Sequence, residues 1–227
     1  MSNKRLEKCM ELVTEGGVVC DIGTDHALLP CRLVKTGQCK NAIAADIGTG
    51  PLEAAKKNIL AEGLEDKIDT CLSDGLEDIH RSEYADSITD IVIAGMGGET
   101  IVHILSQKTQ IQYRANLILQ PMTRAEVLRS WLYENGFDIK REVCVEDAGH
   151  VYTCIQAVYT AKKRRLSGPR KYIGFADLSD RAALDYTKKQ LRRLQGQYEG
   201  LAKAGKEEAA EIKQLIDMAE VMINEGK

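Results

Sequence analysis

Five short apolar runs set the limits on what this chain can fold into. They are Val18-Val19-Cys20, Ala42 to Ala45, Ile68 to Leu72, Ile91 to Ala94 and Leu117 to Leu119. Each is too short for a helix, and most lack polar alternation, which marks strands buried on both faces. Between them lie segments with helical spacing. Asn3 to Val13 carries apolar residues at Leu6, Cys9, Met10 and Val13. Asp25 to Leu33 reads as a second helix, and Pro51 opens a third that ends near Gly63. A fourth follows Gly98 through Leu105, and Arg124 to Asn135 is closed by Gly136 as a C-cap. Strands alternating with helices predict a parallel α/β sheet. Phe137 to Val145 and Val151 to Tyr159, joined by a turn containing Asp-Ala-Gly-His, add a hairpin and one antiparallel strand at or near the sheet edge. Ligands of such sheets bind outside the carboxyl ends of the strands.

The character changes after about residue 160. KKRRLSGPRK has no core pattern and reads as a linker. Leu184, Leu191, Leu194, Tyr198 and Leu201 then recur at three–four spacing; Gly205 breaks the run, and Ile212, Leu215, Ala219 and Met222 resume it. Two helices with narrow seams predict an antiparallel helical hairpin of coiled-coil type. The expected division is residues 1–160 and residues 161–227.

Charge follows the same division. Residues 161–227 hold 15 Lys and Arg against 10 Asp and Glu, whereas the whole chain has a net charge of −3. Within Lys162 to Arg193, 11 bases face 3 acids. An acidic body with a basic arm fits a polyanionic partner, and a solvated helix face is the alternative. Seven cysteines without a CxxC pair, several of them in strand-like runs, read as reduced apolar residues. Four histidines without ligand spacing predict no metal site. The charged start and the lack of a long apolar run predict a cytoplasmic protein with no membrane segment.

The first loop, Asp21-Ile-Gly23-Thr-Asp25-His26, begins like a dinucleotide loop but carries a carboxylate where a second glycine would stand. A pyrophosphate needs bare backbone at a helix N-terminus, and Asp25 would repel it. S-adenosyl-L-methionine carries an ammonium and a sulfonium and no phosphate, so carboxylates attract it. Capping of the next helix by Asp25 is an alternative that coexists with this role. Asp46 closes the second strand, where an acid accepts hydrogen bonds from ribose hydroxyls. Asp74-Gly75 follows the third: an acid for an adenine amine, a glycine to give the base room, or simply an Asp-Gly turn. Three acids after three successive strands point to an adenosyl cofactor. Gly95-Met96-Gly97-Gly98 follows the fourth strand, where a methyl acceptor would lie. The loop lacks the Asn/Asp-Pro-Pro-aromatic motif that orients an exocyclic adenine amine. A ring nitrogen such as adenine N1 needs no such acceptor. Its methylated product is a cation, which Asp25 would stabilise electrostatically. The same glycines also suit a plain strand-to-helix turn.

DIGTDHALLP (Asp21 to Pro30), IAGMGG (Ile93 to Gly98), LILQP (Leu117 to Pro121) and RSWLYENGF (Arg129 to Phe137) together resemble the TrmK family, bacterial tRNA methyltransferases acting on N1 of adenine 22. The resemblance implies a Rossmann-like class I methyltransferase sheet, a C-terminal coiled-coil hairpin that helps hold tRNA, and S-adenosyl-L-methionine as cofactor. It places Arg5, Asp21, Gly23, Asp25, Asp46, Asp74, Gly75, Gly95 and Met96 at the cofactor, with Arg5 against the methionine carboxylate. Asp25 and His26 become the catalytic pair. Gly97, Gly98, Lys162, Lys163, Arg164, Arg165, Arg192 and Arg193 are expected to meet the RNA. Family members often carry Glu at position 46, and the linker near Gly168-Pro169-Arg170 departs from the family pattern. The competing functions are an NAD-type oxidoreductase and a non-catalytic RNA-binding module on the same fold. Oligomeric state is not legible, with a monomer favoured.

Overall fold

The computed structural model describes residues 3–225. The chain order is α1 (Lys4–Met10), β1 (Gly17–Ile22), α2 (Leu28–Lys35), β2 (Cys39–Asp46), α3 (Thr49–Ala61), β3 (Ile68–Leu72), β4 (Asp90–Gly97), α4 (Gly98–Leu105), α5 (Gln110–Arg114), β5 (Asn116–Thr123) and α6 (Ala125–Glu134). It continues with β6 (Phe137–Asp147), β7 (His150–Tyr159), α7 (Arg170–Ile173), α8 (Arg181–Lys203) and α9 (Glu208–Glu225). Among the described residues, seven strands form one sheet in the order β3-β2-β1-β4-β5-β7-β6. β1 to β5 are parallel, and β7 runs antiparallel to both its neighbours, so the hairpin closes one edge as its sequence pattern predicts.

The unbroken apolar runs are explained by cover on both faces. Ile91 and Ile93 of β4 pack into one cluster with Cys20, Leu117 and Leu119, while Val92 points the other way, to Val19, Ala44 and Ile118. Successive side chains of a strand face opposite sides, so a strand covered twice must be apolar throughout. β1 and β4 are the neighbours at which the strand order reverses, and their carboxyl ends open a crevice there.

Several local features differ from expectation. α2 begins at Leu28 and not at Asp25, because His26 and Ala27 take left-handed φ values of 55° and 50°. Asp25 therefore does not cap it: the helix has no side-chain cap, and only the Asp25 carbonyl is used, by Leu28 N–H. The short helices α5 and α7 have too few residues for periodicity to reveal them. The stretch read as a linker is partly anchored, with Arg164 over the Tyr133 ring at 4.4 Å and paired to Asp138 at 2.9 Å.

The C-terminal hairpin forms as expected, turning at Gly205 with φ 63°. Its buried seam includes Leu194, Ile216, Ala219 and Ile223. Leu215 and Met222 lie one position off this seam; both series satisfy three–four spacing, and contact with α8 selects between them. Asp180 caps α8, its Oδ1 accepting from Ala183 N–H at 2.9 Å. Ala183 and Tyr186 pack α8 onto Cys144 of β6 and Ala176. Beneath them Arg129 of α6 donates to Glu142 of β6, to the carbonyls of Lys171 and Tyr172, and to Tyr186 Oη. Glu142 also accepts from Thr153 Oγ1 at 2.5 Å and Phe175 N–H at 2.8 Å. One buried ion pair thus ties α6, the hairpin strands, α7 and α8 together.

Candidate functional site

At the carboxyl ends of β1, β2 and β4 a cavity of about 400 Å³ opens. β1 and its loop contribute Asp21, Gly23 and Asp25; β2 ends in Asp46; β4 supplies Gly95 and Met96. Arg5 of α1 reaches in from the side. Seven of the nine residues expected at a cofactor therefore meet in one place; Asp74 and Gly75 do not line this cavity.

The electrostatics are lopsided. Asp21 is 6 % exposed, and burial pushes its carboxyl up to about 6; Thr24 Oγ1, donating at 2.8 Å, holds it down, while Asp46 and Asp25 add to the rise. Asp46 Oδ1 accepts from Gly48 N–H at 2.8 Å, which fixes the carboxylate and leaves its other oxygen available. The Arg5 guanidinium is held by Asp147 at 2.8 Å and lies 5.3 Å from the Tyr152 ring centroid. The pocket thus offers three carboxylates and one already paired cation. A pyrophosphate would be repelled, and a cationic ligand would be drawn in and would restore the charge of Asp21.

Gly23 has φ 74°, and a Cβ there would fall 2.1 Å from Met96 Cε. The β1 and β4 loops are therefore packed backbone against side chain, and the left-handed φ at 23 strains any residue that has a Cβ. Gly95 N–H donates to Gln120 Oε1 at 3.1 Å. Gln120, buried at the end of β5, lines the cavity together with Asn3 and Leu6 of the N-terminal segment. Sequence reasoning missed all three. The available signal for Gln120 was a lone amide closing an apolar strand beside the glycine loop.

Other expected residues sit differently. Asp25 and His26 are adjacent at the pocket rim, with Asp25 Oδ1 3.6 Å from His26 Nε2 and side chains 81 % and 61 % exposed. Asp74 is exposed, and the space above Gly75 belongs to protein: a Cβ would lie 2.6 Å from Gln107 Oε1. Gln107 accepts from Leu76 N–H and donates to the Asp74 carbonyl, so it braces this loop. Gly98 is buried at the start of α4, and a Cβ would meet the Arg124 carbonyl at 2.3 Å, so its small size serves packing, while Gly97 is half-buried. Lys162, Lys163, Arg165 and Arg192 are exposed. Arg164 is engaged with Tyr133 and Asp138, and Arg193 pairs with Glu126 of α6 at 2.6 Å. All seven cysteines are free and buried. Among the described residues no cluster fit for a metal exists, and no helix is long and apolar enough to cross a membrane.

The model of a methyltransferase domain family matches residues 2–155. The Bacillus subtilis (strain 168) tRNA (adenine(22)-N(1))-methyltransferase is 41% identical over 156 residues, spanning 68% of this chain and 64% of that relative. The crystal structure of the B. subtilis M1A22 tRNA methyltransferase TrmK aligns over 100% of this chain and 98% of its own, at 30% identity and TM-score 0.81. This chain belongs to the TrmK family. A further relative, Sp1610 of Streptococcus pneumoniae, superposes with TM-score 0.85 at 32% identity, covering 98% of this chain and 100% of its own. A structure of Sp1610 in complex with S-adenosyl-L-methionine aligns at TM-score 0.78 and 33% identity, over 96% of this chain and 99% of its own. The family likeness thus reaches through the C-terminal helices and is not confined to the sheet.

Proposed function

We propose that this chain methylates N1 of an adenine in tRNA, at position 22, with S-adenosyl-L-methionine as cofactor. The observation that carries the reading is the carboxylate-lined pocket at the β1/β4 crevice, which excludes a pyrophosphate and suits a cation. The names of the B. subtilis relatives supply the acceptor and its position.

The residues present fit the cofactor. Asp46, fixed by Gly48, would accept from the ribose hydroxyls; Asp21 and Asp25 would meet the positive charges; Gly23 and Gly95 would allow close backbone approach. Arg5 is suited to the methionine carboxylate. When bound, the cofactor supplies an electrophilic methyl group. The chain's own contribution is to orient and to stabilise. Adenine N1 attacks with an in-plane lone pair and needs no general base. The loop at Gly95 to Gly98 therefore offers backbone and space in place of a strong acceptor. Positive charge develops on the base as the bond forms. Asp25 stands at the pocket rim to stabilise it, with His26 positioning the carboxylate. In open solvent such a charge is worth little; it gains strength when the docked RNA excludes water.

Residues 1–160 form the methyltransferase domain in this reading, and residues 161–227 the linker and a coiled-coil hairpin that grips tRNA through Lys162, Lys163, Arg165 and Arg192. In this reading the enzyme works in the cytoplasm. Incubating the protein with labelled S-adenosyl-L-methionine and tRNA transcripts, then mapping the modified nucleotide, tests the whole reading. Transfer to adenine 22, lost when that base is replaced, is the expected result; no transfer to any tRNA carrying the adenine would sink it.

A further inference from the structure

A second cavity, of about 390 Å³, lies beside the first, between the end of β5, the β6–β7 hairpin and α8. Its floor is largely apolar: Pro121 and Met122 from β5, Val151 and Tyr152 from β7. Its rim is cationic, with Arg124, Lys189 and Arg193 against the lining carboxylate of Glu126, and Arg124 pairs with Glu99 at 3.4 Å as well. That carboxylate is shared, accepting from Arg124 Nε at 3.2 Å and Arg193 Nη2 at 2.6 Å. Lys189 has no carboxylate within salt-bridge distance among the described residues. Its ammonium donates to the Val151 carbonyl at 3.1 Å and lies 5.5 Å from the Tyr152 ring centroid.

The wall between the two cavities is thin. Met122 Sδ receives Arg5 Nη1 at 2.8 Å and Gln120 Nε2 at 3.7 Å, and both donors line the first pocket. Arg5 also lies over Tyr152, which lines the second. A flat apolar floor, a surplus of positive charge and a volume in the range of small-ligand sites describe the two halves of a nucleotide: a heterocycle and a phosphodiester.

We propose that this groove seats one nucleotide of the RNA substrate, extruded from its helix, with its phosphate at Lys189 and Arg124 and its base over Met122 and Tyr152. The proposal rests on the RNA methyltransferase reading above. The adenine that is methylated must leave its stack to reach the loop at Gly95 to Gly98, and the groove, one side chain from the cofactor pocket, receives the nucleotide next to it. The groove needs α8 as one wall, so hairpin docking and base placement become a single event. The buried Arg129–Glu142 pair, which reaches α8 through Tyr186 Oη, helps hold that wall in place.

The test is a titration of the protein, saturated with S-adenosylhomocysteine, with adenosine 5′-monophosphate, followed by amide NMR. Methylation kinetics on tRNA accompany it for wild type, Lys189→Glu and Val151→Trp. The nucleotide is expected to shift Met122, Val151 and Lys189 resonances. Each substitution is expected to raise its Kd and the KM for tRNA by roughly tenfold or more, with S-adenosylhomocysteine affinity unchanged. Shifts confined to the Asp21–Asp46 pocket, unchanged KM in both variants, or loss of S-adenosylhomocysteine binding in Lys189→Glu would each overturn the proposal. If wild type transfers no methyl group to tRNA, the functional reading fails, while the nucleotide titration still judges the groove.

Discussion

Arg129 and Glu142 form an ion pair with no side-chain exposure on either partner, Nη2 to Oε1 at 2.5 Å. Burial opposes the guanidinium charge, and the neighbouring Glu142 carboxylate more than offsets that, so Arg129 stays charged. Arg129→Met leaves Glu142 buried without its counter-charge. The expected cost is about 3–5 kcal/mol, read as a lower urea midpoint. Because Arg129 also holds the Lys171 and Tyr172 carbonyls and Tyr186, limited proteolysis should then cut near α7 first.

Asp21 makes the pocket sensitive to pH. Its folded-state value of about 6 lies above the ordinary carboxyl value of 3.8. Between the two the folded state keeps a proton that the unfolded chain has lost. The stabilising contribution is complete below the lower value and is lost as pH rises through about 6. Asp21→Asn should therefore raise the stability of the ligand-free protein at pH 7.5 by roughly 1–3 kcal/mol, with little effect at pH 4. S-adenosyl-L-methionine, a cation, should bind wild type more tightly at pH 7 than at pH 5, and calorimetry at both values checks the sign.

Asp46 and Asp25 should separate binding from turnover. Asp46→Ala removes a fixed acceptor, and the cofactor Kd should rise by roughly tenfold or more. Asp25, 81 % exposed, has less hold on the free cofactor, and its replacement by Ala should lower kcat while leaving that Kd nearly intact. A turnover number unchanged in Asp25→Ala would remove it from the mechanism.

Arg192 and Arg193 are neighbours with different work. Arg192→Glu should weaken tRNA binding and flatten its salt dependence by ~1 unit of slope for each phosphate that is no longer neutralised. Arg193→Glu places a carboxylate against Glu126, so it should also loosen α8, seen as faster hydrogen exchange across Ala183 to Leu194. Charge counting alone treats the two as equal.

The sheet was legible because its strands are buried on both faces and print as unbroken apolar runs. The acids closing β1 and β2 were legible for a related reason: a carboxylate after such a run stands at the carboxyl end of a strand. What stayed hidden depended on contacts between distant residues. Arg129 sits in a helix where arginine ordinarily reads as solvent-facing, and its partner is 13 positions away on β6. Gly75 and Gly98 were visible as glycines, but the groups that demand them, Gln107 and the Arg124 carbonyl, were not. Asp25 failed as a helix cap because two consecutive left-handed residues delay α2, and no propensity rule places such a pair at His26 and Ala27.

The Arg5 pairing with Asp147 spans 142 positions of chain. A ribosome adding ~5–20 residues per second takes on the order of ten seconds to make that distance. Until the β6–β7 hairpin has emerged, the first helix has no Asp147 to hold it and the pocket it borders stays open on that side. The wall that Arg5 gives the pocket is therefore completed only after the hairpin has been made.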